Sequence, residues 1–153
     1  SLSSNSEEIK IGYIDTEKVV NNLPQYQQST DDISKEFEPK RQELLSLFKS
    51  IELLKAKIIN ISQSENKENL QIEISKLSKL EAIFKQDSEL WQERIDYRKI
   101  DSLQEIEILI NNTINELAII ENYDLILYEN AAFVSNEINI TNKVIEEIKK
   151  LLP

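Results

Sequence analysis

The chain has 153 residues, with 18 Lys plus Arg against 28 Asp plus Glu, and a net charge of −10. Such a length suits one domain or one elongated module. With no Cys, no His and only Gly12 as glycine, the chain lacks thiolate and imidazole chemistry, the usual zinc ligands and glycine-rich phosphate loops. It therefore does not read as an enzyme, and no metal or cofactor is expected.

The acidic balance argues against a nucleic-acid partner, which needs a basic surface. No apolar run reaches the roughly 18 residues of a membrane span. The start, Ser1-Leu2-Ser3-Ser4-Asn5, belongs to a chain without any Met. It reads as a processed or truncated start, compatible with removal of a signal peptide.

Residues 1–8 read as a flexible tail. Ile9 to Ile14 alternates β-branched and aromatic residues, which predicts a strand. Asp15 or Thr16 can cap a short helix through Val19 and Val20. Pro24 then disfavours helix at the preceding residue, so a break is expected over 21–24.

From about Gln25 to Ile61 the pattern is helical. Phe37, Leu44, Phe48, Ile51 and Ile58 give a heptad seam, with Arg41 and Lys55 as polar interruptions. Pro39 predicts a kink or a new helix start. The polar stretch 60–69 reads as a turn, with Ser64 a candidate cap. A second long helix is predicted from about Glu68 to Glu121, without Gly or Pro. Its seam is Leu70, Ile74, Leu77, Phe84, Trp91 and Ile95, continuing through Leu103, Ile106, Ile110, Leu117 and Ile120. Glu81, Ser88 and Arg98 fall where a tight coiled coil wants apolar groups. At 1.5 Å per residue such a helix is roughly 75 Å long, which predicts a protruding antiparallel arm. Trp91 falls on the heptad and reads as seam core.

Tyr123 to Tyr128 is a second predicted strand. Glu129-Asn130 is a hairpin turn into a third, Ala131 to Val134. Thr141 can cap a last helix carrying Val144, Ile145, Ile148 and Leu151. The predicted architecture is mainly α with a small β head. Residues 9–28 and 118–153 form the head, and 29–117 form a helical-hairpin arm with its tip near 60–69. Three short strands bury little and leave open edges, so the head is expected to self-associate.

Charge is uneven along the chain. Residues 49–85 hold seven Lys and five acids, net +2, whereas both ends are acidic. A solvated helix surface accounts for most of this. Adjacent carboxylates such as Asp31-Asp32 and Glu146-Glu147 point apart on a helix and do not converge on a metal.

Three segments carry a family resemblance. They are Lys10-Ile11-Gly12-Tyr13-Ile14-Asp15 with Val19-Val20, Phe37-Glu38-Pro39-Lys40-Arg41 with Glu43-Leu44, and Tyr123-Asp124-Leu125-Ile126-Leu127 with Ala131-Ala132-Phe133-Val134 and Ile140-Thr141. In order and spacing the chain resembles the Skp/OmpH family of periplasmic chaperones. The resemblance implies a homotrimer with a β-barrel-like head, its interface drawing on Ile11, Tyr13, Leu125, Leu127, Phe133 and Val134. Three arms would enclose unfolded outer-membrane proteins without ATP, preventing their aggregation in the periplasm. It also implies weak contact with lipopolysaccharide or anionic membrane through Arg94, Arg98 and Lys99. Asp96 and Asp101 dilute that cluster, and the family's well-known relatives are basic.

Leu47, Leu54, Ile61, Leu80, Ile83, Leu90 and Tyr97 flank the predicted seam. From the residues alone, a wide seam or contact with a neighbouring arm is as good a reading as a client-facing lining; the resemblance favours client binding. The competing function is a structural coiled-coil scaffold that grips one defined partner helix. A scaffold wants a clean seam, and the polar interruptions favour the holdase.

Overall fold

The computed structural model describes residues 8–128 and 130–151. Its elements are β1 (Ile11–Tyr13), α1 (Thr16–Asn21), α2 (Pro24–Gln63), α3 (Leu70–Ile120), β2 (Leu125–Leu127) and α4 (Thr141–Lys149). The chain divides into two compact units. A head unit holds the residues up to Thr30 and from Ile100 onward, and a hairpin unit holds Asp31–Lys99. Residues 1–7, most of the expected tail, lie outside the described residues; Glu8 is exposed.

Local chemistry sets the boundaries. The Asp15 carboxylate accepts the Lys18 amide at 3.0 Å and caps α1. Pro24 opens α2, where a missing N–H costs nothing. The helix then passes through Pro39 as one element. The proline is exposed, so water can reach the carbonyl that loses its amide partner. After α3, Asn122 takes a left-handed turn at φ 57°, and the Tyr123 amide reaches back to the Ala118 carbonyl at 3.0 Å. This is a Schellman-type stop, tolerated by asparagine.

In the head unit β1 and β2 run parallel, pairing Ile11 with Leu125, Gly12 with Ile126 and Tyr13 with Leu127. On the other side of β1, Tyr13 bridges Asn139, donating to the Ile138 carbonyl at 2.7 Å and accepting from the Ile140 amide at 2.9 Å. The core packs Ile14, Val19 and Leu23 against Ile106, Ile110 and Leu117 of α3 and Val144, Ile145 and Ile148 of α4. Gly12 is needed by close approach. A Cβ there would sit 2.9 Å from Ile140 Cδ1 and 3.2 Å from Tyr123.

Two expectations fail in this unit. Ala131 to Val134 forms no strand; these residues are irregular, and Phe133 is 84% exposed. Among the described residues none pairs with them as a strand, so their β propensity is not realised. The expected turn at Glu129-Asn130 falls partly outside the described residues, because Glu129 is not among them. Thr141 does not cap α4 either. It is the first helical residue, and its hydroxyl accepts from the Asp15 amide at 3.0 Å and donates to Asn139 Oδ1 at 2.6 Å.

In the hairpin unit α2 and α3 run antiparallel. Contacts on α3 fall in number as those on α2 rise: Glu36 meets Arg98, Phe37 meets Trp91, Phe48 meets Phe84 and Lys57 meets Glu73. The turn is held by Ser64, whose hydroxyl donates to the carbonyls of Ile61 and Asn66 at 2.8 and 2.7 Å. Ser64 thus closes α2 rather than capping α3.

Candidate functional site

Two apolar surfaces stand out, one in each unit. In the head unit the strand pairing puts Ile11, Tyr13, Leu125 and Leu127 on one face of the sheet. Ile11, Leu125 and Leu127 are exposed and Tyr13 is half-buried, whereas Gly12 is buried and Ile126 half-buried on the opposite, core-facing side. Four of the six residues expected to make a self-association surface therefore share a face. The other two, Phe133 and Val134, sit in the irregular stretch, exposed and half-buried respectively.

In the hairpin unit burial reveals the true seam. On α2 the protected positions are Ile33, Phe37, Lys40, Leu44, Leu47, Ile51, Leu54, Ile58 and Ile61, in unbroken four-three alternation. On α3 they include Leu70, Glu73, Leu77, Leu80, Phe84, Asp87, Trp91, Ile95 and Arg98. The expected register is thereby corrected. Leu47, Leu54, Ile61 and Leu80 lie half-buried in the seam rather than beside it. Phe48 and Ile74 lie outside it and are exposed, although Phe48 still reaches the Phe84 ring at 5.9 Å. Arg41, Lys55 and Glu81 are exposed and interrupt nothing. Leu103 and Ile120, expected in the continuing seam, are also exposed.

The real polar interruptions are Lys40, Glu73, Asp87 and Arg98, and each finds an opposite charge. Lys40 Nζ donates to Asp87 at 3.1 Å and Glu43 at 3.2 Å, and the Asp87 bond above all holds its ammonium above the usual lysine value. Glu73, buried at residue level, accepts from Lys57 at 3.2 Å and Lys76 at 3.4 Å. Lys57 is the main cause that holds its carboxyl below the ordinary range. Arg98 Nε donates to Glu36 at 3.0 Å. The sequence did carry a signal for Glu73, which lies three residues after Leu70 and four before Leu77. Trp91 is half-buried as expected, and its indole N–H donates to the Phe37 carbonyl at 3.2 Å.

Three of the expected client-binding residues remain on open surface. Ile83, Leu90 and Tyr97 recur every seven residues on α3 and are 48, 42 and 61% exposed. A row at this spacing lines one side of a helix whose seam is already occupied. Of the expected lipid cluster, Arg98 is tied to Glu36, while Arg94 and Lys99 are exposed. Arg94 borders a groove of about 380 Å³ that Glu36 and Asp87 also line. Lys40 lines it too, so two bases and two acids give the groove no net charge.

Among the described residues no cluster of carboxylates could hold a metal ion, and no helix is long and apolar enough to cross a membrane. The arrangement can offer apolar contact.

Among curated proteins none matches the chain. Its fold is similar to the crystal structure of an OmpH-like candidate outer membrane chaperone from Caulobacter crescentus. The TM-score is 0.79 at 10% identity, over 99% of this chain and 90% of that one. The family of OmpH-like outer membrane proteins matches residues 10–148. That span takes in all six elements except the last residue of α4, and the chain belongs to the OmpH-like family.

Proposed function

We propose that the protein is an ATP-independent holdase chaperone of the periplasm. It holds unfolded outer-membrane proteins between the helical hairpins of a homotrimer and keeps them from aggregating. The observation that carries this reading is the exposed row Ile83, Leu90 and Tyr97 on a hairpin whose seam is interrupted by paired charges. Dispersed apolar contacts of this kind suit weak binding to many unfolded chains, because no single anchor dominates. The half-buried Leu47, Leu54, Ile61 and Leu80 join the binding surface where the seam parts. Family membership and the likeness to the Caulobacter protein support the same role.

The exposed sheet face of Ile11, Leu125 and Leu127 supports self-association, since the opposite face already packs on the core and a partner would cover the apolar face left bare. Contact with lipopolysaccharide or anionic membrane through Arg94, Arg98 and Lys99 is weak, because Glu36 neutralises Arg98. An aggregation assay with a denatured β-barrel protein, run beside a mass measurement in solution, tests the reading. Protection by a three-chain species is expected. A folded monomer that protects no client would overturn it.

A further inference from the structure

The head unit holds a cavity that the chaperone reading does not use. It measures about 520 Å³, within the usual range for ligand pockets. Its walls are apolar and aromatic, with Leu103, Ile110 and Ile114 along α3 and the rings of Tyr26 and Tyr128 beside them. Two carboxylates, Glu17 and Glu107, line it as well, together with the side-chain amides of Asn21 and Asn111. No described lining residue is cationic. Neither Glu17 nor Glu107 enters an ion pair among the described residues, and both are exposed.

The surroundings reinforce this. The head unit carries 14 acids and five bases, net −9, against −1 for the hairpin unit. Four of the five bases are already engaged. Lys143 pairs with Glu121, Lys149 with Glu146 and Lys150 with Glu147. Lys10 donates to the Glu121 carbonyl and lies 4.3 Å from the centre of the Tyr123 ring. The fifth, Lys18, follows Glu17 in α1 but makes no ion pair with it among the described residues, so the cavity carboxylates keep their charge in an acidic surrounding that repels anions.

We propose that this cavity takes a lysine or arginine side chain from a basic segment of an unfolded polypeptide. The apolar wall covers the aliphatic stem, and the two tyrosine rings attract the cation through their faces. Glu17 and Glu107 accept its charge-assisted hydrogen bonds. Asn21 and Asn111 supply a donor and an acceptor each for the flanking peptide groups, which points to a polypeptide rather than a simple amine. The inference deepens the holdase reading and rests on it for the source of the polypeptide. It assigns clients a charge preference opposite to that of a basic chaperone.

The test uses the full chain in its native assembly and two short fluorescein-labelled peptides. One repeats Lys, Ser and Phe, and the other replaces Lys with Glu. Fluorescence anisotropy should show the basic peptide bound at least about tenfold more tightly than the acidic one, with affinity falling as salt rises. Glu17→Gln with Glu107→Gln should cost about tenfold for the basic peptide and leave the acidic one unchanged. Both positions are exposed, so the exchanges spare the core, and circular dichroism confirms the fold. Tyr26→Leu offers a second variant that weakens the same peptide without touching charge. Equal binding of the two peptides by the unaltered protein would overturn the proposal. So would unchanged binding by the double variant, or a change in its assembly mass, which would give the cavity to a second copy of the chain. Client protection is measured separately. Its loss in the unaltered protein counts against the holdase reading, whereas protection with indifferent peptide binding counts against this site alone.

Discussion

The head unit and the hairpin unit are stabilised by different means. In the head, helices and strands surround one core, and Ile14, Val144 and Ile148 lose all contact with solvent. In the hairpin two helices share a single seam, where Ile33, Leu44 and Ile51 are buried and most other seam residues are only half-buried. Two helices cannot cover each other's flanks, so a hairpin keeps apolar surface open however good its heptads are. The lesson is a division of labour. The head closes its core to solvent, and the hairpin keeps apolar surface open, as the proposed client binding requires.

Truncating matched residues in the two units breaks the comparison most forcefully. Ile148→Ala should cost about 3–4 kcal/mol, since a fully buried side chain leaves a cavity in a close-packed core. Leu54→Ala should cost about 1–2 kcal/mol, because that side chain is half-buried and the seam can close around the gap. Thermal and urea unfolding of both variants measures the gap between them. Equal costs would mean that the hairpin is as tightly packed as the head.

A smaller effect is expected at Gly12. Gly12→Val would drive a side chain into Ile140 and Tyr123 and should cost about 1–3 kcal/mol, read from the thermal midpoint. Gly12→Ala should cost less, because the nearest atom, Ile140 Cδ1, is the end of a flexible side chain.

The hairpin's ion pairs define its response to pH. Glu73 has a carboxyl held below its usual 4.5, so it binds a proton less readily when folded than when unfolded. Its contribution is present above pH 4.5 and is lost as pH falls through the lowered value. Lys40 is held above its usual 10.5, so its contribution is present below that pH and is lost on stronger alkalinisation. Trp91 sits in the same seam, and its fluorescence should report loosening at the acid end before the helical signal of α4 changes. Glu73→Leu should reduce the acid sensitivity, leaving that of Glu38, whose carboxyl the Gln42 amide also holds below its usual value, and raise the hairpin's midpoint by about 2–4 °C, because an apolar seam residue avoids the desolvation of a charge. A lowered midpoint would show that the ion pairs do more than satisfy a buried carboxylate.

Much of the architecture was legible in the sequence, because its signals are local. The break over 21–24 follows from Pro24, the Asp15 cap from its position, and the column Phe37, Leu44, Ile51 and Ile58 from strict heptad spacing. The second column was not legible. Leu47 and Phe48 are both apolar, and a helix of 3.6 residues per turn accommodates either after Leu44; only the partner helix selects Leu47. The same ambiguity hid Glu73, whose place in the seam rests on Lys57 sixteen residues away. Ala131 to Val134 has strand composition without a partner among the described residues, and pairing is a tertiary fact that propensity does not contain. The cavity beside Glu17 and Glu107 joins segments ninety residues apart in sequence and left no local trace.

The claim that the open α3 row binds clients is tested most directly by titrating a fluorescent unfolded β-barrel protein into the chain carrying Ile83→Ser, Leu90→Ser and Tyr97→Ser. All three positions are exposed, so helix content and assembly mass should stay unchanged. Each exchange gives up a fraction of the ~1.5–3 kcal/mol that full burial of such a side chain is worth, and affinity should fall by about tenfold to a hundredfold in graded steps as the three accumulate. Unchanged affinity with the fold intact would contradict the account, since this heptad-spaced row on α3 would then take no part in holding clients, leaving exposed residues such as Leu53 and Ile59 of α2 to do so.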